Sequence, residues 1–192
     1  AKVIINEQCK PVDIVVKTSD VATQLIEELM IVCNETVSEF FTKKNIPFLY
    51  RIHEKPSAEK IEHFLKFMEA INYPVKEKEI SPKVLQNILE NAKDKPEYSQ
   101  ICYVMIRSLT KAKYSPDAKG HFGLASAYYS HFTSPIRRYP DLQIHRIIKE
   151  YLHGRLTDER KAHYKQILND VAYESTEREI TASSCEWDVK KY

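Results

Sequence analysis

The stretch that decides the fold of this chain is HFTSPIRRYPD, at residues 131–141. It places two adjacent arginines, Arg137 and Arg138, just before a proline that suits the first turn of a helix. An arginine guanidinium presents a planar fork of donors that matches two phosphate oxygens, and the hydroxyls of Thr133 and Ser134 add neutral donors nearby. The stretch therefore predicts a phosphate-binding loop that leads into a helix.

Helical patterns are predicted on both sides of this loop. After it, one helix is expected from about Pro140 to a stop at Gly154, and a long final helix from about Thr157 to Tyr192. Before it, four helices are expected to begin at Ser19 or Asp20, at Ser57, at Ser81-Pro82 and at Lys95-Pro96. The first of these four is expected to end near residues 43–45 and carries apolar residues at helical spacing, namely Leu25, Leu29, Met30, Cys33, Val37 and Phe40.

One clear strand pattern lies at the amino end. Val3-Ile4-Ile5 and Ile14-Val15-Val16 flank a polar connection that contains Lys10-Pro11, which predicts a β-hairpin. The chain has three glycines, far below the usual share of roughly 7%, and this favours long helices over tight turns. Gly120 and Gly123 lie just upstream of the loop, where we expect the backbone to bend or approach another group closely. The expected fold is mainly α with a small β element, in the α+β class.

Composition limits the class of protein. A hydrophobic content of 43% allows a substantial core, and without a flexible linker we expect a single unit over residues 1–192. The sequence has neither an apolar run long enough to span a bilayer nor the apolar core of a signal peptide. Its four cysteines lie far apart, which predicts no zinc site or disulfide framework and favours the cytoplasm. Because the net charge is only +2, RNA affinity is expected from local clusters such as the arginines of residues 131–155.

Three blocks of sequence resemble the ribonuclease R and ribonuclease II family, and the ribonuclease R branch most closely. The longest block joins GHFGL at residues 120–124 and YSHFTSPIRRYPDL at residues 129–142 to His145-Arg146. The others are IEELM with Asn34-Glu35, within residues 26–35, and LYRIHEKP at residues 49–56. The family consists of 3′→5′ exoribonucleases whose catalytic domain is called RNB. The resemblance implies that this chain is the helical carboxyl-terminal portion of an RNB domain, a partial domain in which the upstream half is absent.

The same resemblance implies Mg²⁺ as the cofactor of the full-length enzyme. Two-metal hydrolysis needs several carboxylates gathered on the metal, and this sequence never places three aspartates within one short loop. The family carries its metal-binding aspartates upstream of the part that this chain resembles. We therefore expect no metal-binding residue and no bound cofactor here, and an isolated chain that is inactive. Four histidines are expected to be hydrogen-bonded structural groups rather than metal ligands: His53, His121, His131 and His145.

Two residues are the candidate catalytic groups. Arg137 matches the family arginine that engages the scissile phosphate, where a fixed cation offsets the charge that develops in the transition state. The alternative is a surface arginine paired with Asp141 or with a helix end. Glu186 matches a functional glutamate of ribonuclease II, and its alternative is a glutamate on an exposed helix face. Arg138 is expected either to orient the loop through an ion pair or to touch RNA.

An aromatic pair is expected to bind bases. Tyr50, with Phe48 beside it, matches the family aromatic that stacks on terminal bases, a contact that holds single-stranded RNA without reading its sequence. The alternative is that both rings belong to the core. The full set of candidate RNA-binding residues is Tyr50, Phe48, Arg138, Ser134, Thr133 and His131.

Three functions stay open at this point. The first is a piece of an RNB exoribonuclease that hydrolyses RNA processively to nucleoside monophosphates, with single-stranded RNA as substrate, no membrane partner, and the upstream RNB half and OB-fold modules in the same longer chain. The second is a stand-alone, non-catalytic module that is related to RNB and binds RNA or a protein. The third is a helical interaction protein with no role in nucleic-acid binding. Mutation of Arg137 and Tyr50 would separate the third from the others.

Overall fold

A computed structural model describes residues 2–8, 10–15, 20–75 and 79–191. Within these ranges the chain forms six α-helices, one short 3-10 helix and two small two-stranded sheets, which confirms the predicted α+β class. It divides within the first helix into two compact units, Ala1–Cys33 and Asn34–Tyr192. None of the described helices is both long enough and apolar enough to cross a bilayer.

The first unit contains the predicted hairpin. Strand β1 (Lys2–Ile5) pairs antiparallel with β2 (Pro11–Val15), and the register shifts between Ile4 and Ile5. The predicted strand residue Val16 lies outside the described residues. Helix α1 (Val21–Lys43) begins in this unit, where the Asp20 carboxylate accepts a hydrogen bond from the Thr23 N–H at 2.7 Å. Asp20 therefore caps the helix, and the other predicted cap, Ser19, lies outside the described residues.

The second half of α1 packs through a face that includes polar side chains. Its buried residues are Asn34, Ser38 and Phe41, whereas Val37 of the predicted apolar stripe is only half-buried against the core and Phe40 is exposed. The Asn34 amide donates to the Tyr129 hydroxyl at 3.1 Å and accepts from the Phe132 N–H at 2.9 Å. Helical periodicity identifies only apolar positions. Polar side chains of α1 are buried here because each has a hydrogen-bond partner in the segment just before residue 133. Helix α1 thereby holds the start of the arginine-bearing loop.

Five further helices lie in the second unit: α2 (Ala58–Ala70), α3 (Pro82–Ala92), α4 (Tyr98–Ser108), α5 (Tyr139–Leu152) and α6 (Asp158–Lys191). The side chains of Ser57 and Ser81 cap α2 and α3 as predicted, each accepting a hydrogen bond from a backbone N–H of the first turn. Helix α4 begins two residues after Pro96 and has no side-chain cap. Gly154 ends α5 with a φ of +65°, as predicted, and Tyr192 lies outside the described residues.

A second small sheet was not predicted. Strand β3 (Tyr50–Ile52) pairs antiparallel with β4 (Lys113–Ser115), with Arg51 opposite Tyr114. The sequence contains no clear pattern for this pair. Each strand has three residues, too few for an alternating pattern to emerge, and the pairing joins segments that are far apart in sequence. This sheet brings Arg51 and Tyr114 into the region of the arginine-bearing loop.

Two clusters of buried side chains form the core of the second unit. One joins the end of α1 and strand β3 to α5 and α6, and its members include Phe41, Phe48, Leu49, Ile144 and Leu168. The other joins α2, α3 and α4, with Phe64, Met68, Leu85, Ile101 and Met105 among its members. Packing in the first cluster fixes the position of α5. The arginine-bearing loop, which runs directly into α5, is therefore held in place at its carboxyl-terminal end.

Candidate nucleic-acid interface

The arginine-bearing loop is a tight turn that runs directly into α5. The Ser134 carbonyl accepts hydrogen bonds from the backbone N–H groups of Arg137, at 3.4 Å, and Arg138, at 3.1 Å. Helix α5 then begins at Tyr139, with Pro140 in its first turn. The predicted order of loop and helix is confirmed. The turn leaves Arg137 exposed and Arg138 half-buried.

A buried carboxylate ties the two ends of this turn together. Asp141, in the first turn of α5, is 0% exposed. Its Oδ1 accepts one hydrogen bond from the Ser134 N–H and another from Nη2 of Arg138, both at 2.8 Å. The amino end of a helix also favours a negative charge at this position. Arg138 therefore orients the loop through an ion pair, which was one of its two expected roles.

Arg137 has no such partner. Among the described residues its side chain makes no hydrogen bond or ion pair, and Asp141 is already occupied by Arg138. Arg137 lines a cleft of about 640 Å³, named here the Arg137 cleft, between the start of α5 and one face of α6. The other lining arginines are paired, Arg138 with Asp141 and Arg178 with Glu174 at 3.6 Å. Within the described chain, Arg137 is thus the unpaired cation of this cleft.

Arg51 lies next to the cleft, because it pairs with Glu179, one of the residues that line it. Nη2 of Arg51 lies 3.0 Å from Oε1 of Glu179, and its Nη1 contacts the other carboxylate oxygen, so the pair is bidentate. The Arg51 guanidinium also stands 4.6 Å from the centroid of the Tyr114 ring. None of these three residues was predicted as part of the site. Arg51 lies within the LYRIHEKP block, but no local pattern links it to Glu179, which is far away along the chain.

His131 is neutral and hydrogen-bonded. Its Nδ1 lies 2.9 Å from the Tyr114 hydroxyl. Burial, helped by the positive charges of Arg138 and Arg51, lowers the pKa of His131 to about 3. Burial likewise raises the pKa of Tyr114 to about 12. At neutral pH both groups are therefore uncharged, and they share one hydrogen bond between the tyrosine hydroxyl and Nδ1. His131 can offer RNA a neutral hydrogen bond but no charge.

The other three histidines are also hydrogen-bonded, as predicted. His53 accepts at Nδ1 from the Gly123 N–H at 2.9 Å, and its Nε2 contacts the Thr110 carbonyl oxygen at 2.8 Å. A Cβ at Gly123 would lie 2.8 Å from that Nδ1, which confirms the predicted close approach. His121 accepts from the Leu124 N–H, and Nε2 of His145 contacts a backbone carbonyl oxygen. Each histidine has a structural partner.

Comparison with known proteins assigns the family. A family model of the RNB domain matches residues 1–154. The chain belongs to the RNB family. Ribonuclease R of Thermotoga maritima is 44% identical to it over 191 residues, which are 98% of this chain and 27% of that protein. The chain therefore spans about a quarter of the length of this relative.

Solved structures of an RNB-family enzyme have the same fold. Mycoplasma genitalium RNase R in complex with ribose methylated single-stranded RNA superposes with a TM-score of 0.93 at 33% identity, and the match covers 100% of this chain and 30% of that one. The same enzyme in complex with double-stranded RNA gives a TM-score of 0.91 at 33% identity, over 98% of this chain and 34% of that one. The match is to the helical carboxyl-terminal part of the RNB domain.

The structure places the aromatic pair implied by the RNB resemblance in the core. Tyr50 is 5% exposed and Phe48 is 1% exposed. The Tyr50 hydroxyl bonds to Thr42 Oγ1 at 2.8 Å, and the Phe48 ring stacks on Phe41 with centroids 4.9 Å apart. Neither ring has a face open to a base, because Tyr50, at the start of β3, and Phe48, just before it, both lie inside the first core cluster. The prediction that Tyr50 and Phe48 stack on bases is therefore replaced by the alternative, that both rings belong to the core.

Glu186 lies on an exposed face of α6. It pairs with Lys190 one turn away and does not line the Arg137 cleft. This is the alternative that the sequence left open, and the geometry gives no support to a catalytic role. The structure brings together the remaining predicted residues on one loop, with Thr133 and Ser134 half-buried beside the exposed Arg137.

Proposed function

We propose that this chain is the phosphate-binding part of a 3′→5′ exoribonuclease of the ribonuclease R type. Its fold matches an RNase R that has been solved with single-stranded RNA. The observation that carries the proposal is the Arg137 guanidinium, which is exposed in a cleft and unpaired among the described residues. A free guanidinium in such a place favours a phosphate, since its donors match two phosphate oxygens.

The turn around Arg137 suits this task. The Ser134 N–H and the Arg138 guanidinium are both held by Asp141, so the backbone is fixed on either side of Arg137. A donor that is already in place costs little reorganisation when charge develops on a phosphate oxygen. Arg137 would therefore orient the scissile phosphate and offset its charge, while Arg138 acts by holding the loop. His131, Ser134 and Thr133 would add neutral donors.

The described residues do not fit a Mg²⁺ site. In the ranges that the structure describes, no three histidine, cysteine, aspartate or glutamate side chains come together as metal ligands do. Mg²⁺ would activate water and stabilise the leaving oxygen in the full-length enzyme. Within this proposal, processive hydrolysis to nucleoside monophosphates in the cytoplasm also requires the upstream half of the RNB domain and the OB-fold modules. The chain by itself is inactive.

Replacement of Arg137 tests the phosphate contact. We expect Arg137→Ala to weaken binding of a fluorescein-labelled oligouridylate about tenfold, measured by fluorescence anisotropy at low salt, because a charge-assisted hydrogen bond is worth about 1.5 kcal/mol or more. The slope of log affinity against log salt concentration should fall by about 0.7, the value for one lost phosphate contact on a single strand.

Arg107→Ala is the matched control, since it removes the same charge from an exposed position on α4 outside the cleft. It should leave the affinity nearly unchanged. Equal losses in the two variants would mean that the chain binds RNA through its general charge. An unchanged affinity in Arg137→Ala would overturn the assignment of Arg137.

A further inference from the structure

A second groove lies beside the Arg137 cleft, and we name it the α6 groove. It has a volume of about 790 Å³ and runs between α6 and the chain at residues 111–113. Glu179 lines both the groove and the cleft, and its ion pair with Arg51 stands at the border between them. The two openings therefore meet at Glu179, and they lie on adjacent faces of α6.

The α6 groove contains an exposed aromatic ring. Trp187 is the single tryptophan of the sequence, lines the groove and is 67% exposed. It belongs to neither of the two described core clusters. Lys190 Nζ lies 6.0 Å from the centroid of the ring. A large ring left open to solvent beside cations is the arrangement that proteins use to stack on an unpaired base, whichever base it is.

The lining of the groove is also positive. The groove is lined by four cations and two carboxylates. The cations are Arg51, Lys111, Lys113 and Lys191, and the carboxylates are Glu179 and Asp188. Arg51 is neutralised by Glu179, and Lys191 lies 3.5 Å from Asp188. Lys113 pairs with a glutamate that does not line the groove and keeps 48% of its side chain exposed. Within the described chain Lys111 makes no ion pair, so it can serve a phosphate.

We propose that the α6 groove holds the same RNA strand whose phosphate lies at Arg137, with Trp187 stacking on a base and Lys111 contacting a phosphate. This inference rests on the proposed function. Trp187 follows Glu179 by eight residues along α6, or about 12 Å at a rise of roughly 1.5 Å per residue. A stacked strand advances about 3.4 Å per nucleotide, so roughly three or four nucleotides cover that distance. Because stacking and phosphate contacts do not depend on base identity, binding in this groove is independent of the RNA sequence.

Because the chain has a single tryptophan, its fluorescence reports on this groove alone. The chain is titrated with an oligouridylate while the anisotropy of a label on the RNA reports binding independently. We expect the Trp187 fluorescence to be quenched and to saturate at the same RNA concentration as the anisotropy. Trp187→Ala and Lys111→Ala should each weaken the affinity about fivefold or more by anisotropy. Lys93→Ala, an exposed lysine outside both openings, should leave it unchanged.

Three results would overturn the inference. If Arg137→Ala weakens binding while the tryptophan signal and the affinity of Trp187→Ala stay unchanged, RNA does not enter the α6 groove, and the proposed function survives. If the wild-type chain binds no RNA by either signal, both proposals fail. If poly-L-glutamate quenches Trp187 as strongly as the oligouridylate does, the groove serves an acidic polypeptide instead.

Discussion

Asp141 accepts two hydrogen bonds from the loop that carries Arg137, and it is fully buried while doing so. The ion pair with Arg138 is therefore largely shielded from water. Removing one partner of a buried pair leaves the other charge without compensation, which costs more than the pair itself contributes. This single carboxylate links the stability of α5 to the position of Arg137.

We expect Asp141→Ala to lower the free energy of unfolding by about 3 kcal/mol, because Arg138 and the Ser134 N–H both lose their acceptor. Urea unfolding followed by circular dichroism measures the change. Asp188→Ala is the control, since Asp188 pairs with Lys191 on the exposed face of α6 and should contribute less than about 1 kcal/mol. Similar losses in the two variants would show that Asp141 does not hold the loop.

The sequence located this residue-scale site only in part. The sequence around the two adjacent arginines correctly predicted a loop that leads into a helix, because the proline at the start of α5 is a local signal. Which arginine is free was decided by Asp141, whose Oδ1 contacts Arg138 and not Arg137. Arg51 and Glu179 were missed because their bidentate pair joins β3 to α6.

At the scale of elements, three helices end with the same hydrogen-bonded motif. Asn45 after α1, Asn72 after α2 and Gly154 after α5 all have positive φ values, of 54°, 59° and 65°. In each case the following N–H bonds back to a carbonyl five residues earlier, as in Arg155 to Glu150 at 2.8 Å. The sequence clearly predicted that Gly154 ends α5. Asparagine is a weaker signal, because it tolerates this conformation without requiring it.

Gly154 provides a test of this ending. A Cβ at Gly154 would meet nothing within 4 Å, so the effect of a substitution comes from the backbone conformation alone. We expect Gly154→Ala to lower the free energy of unfolding by about 1 kcal/mol, since an L side chain disfavours positive φ. Gly154→Asn should cost clearly less, as asparagine occupies this position after α1 and α2. Equal urea midpoints for alanine and asparagine would contradict this explanation.

At the scale of the whole molecule, the described residues contain the loop with the exposed Arg137 but no cluster of metal ligands. We therefore expect the purified chain to release no nucleotides from a labelled single-stranded RNA in Mg²⁺, since two-metal hydrolysis needs several gathered carboxylates. Gel analysis of the products measures this. Arg137→Ala, purified in parallel, identifies contamination, because a contaminating ribonuclease cleaves equally in both samples. Steady release by the wild-type chain that is lost in Arg137→Ala would contradict the expectation.

The sequence by itself determined the features that depend on neighbouring residues. Ser57 and Ser81 begin helices and Gly154 ends one, because capping hydrogen bonds form within a few residues. The arginine-bearing stretch likewise pointed to the RNB family, which the match over residues 1–154 confirms. These conclusions needed no knowledge of distant contacts.

Only the tertiary structure decided which side chains are exposed. Tyr50 carries the same ring as an exposed base-stacking residue would, but it lies in the core because α1, α5 and α6 close around β3. Trp187 carries an equally apolar ring and stays open to solvent. Burial depends on contacts between residues that are far apart in sequence, and so do ion pairs such as Arg51 with Glu179. A local pattern fixes the type of side chain, whereas packing decides whether that side chain can reach RNA.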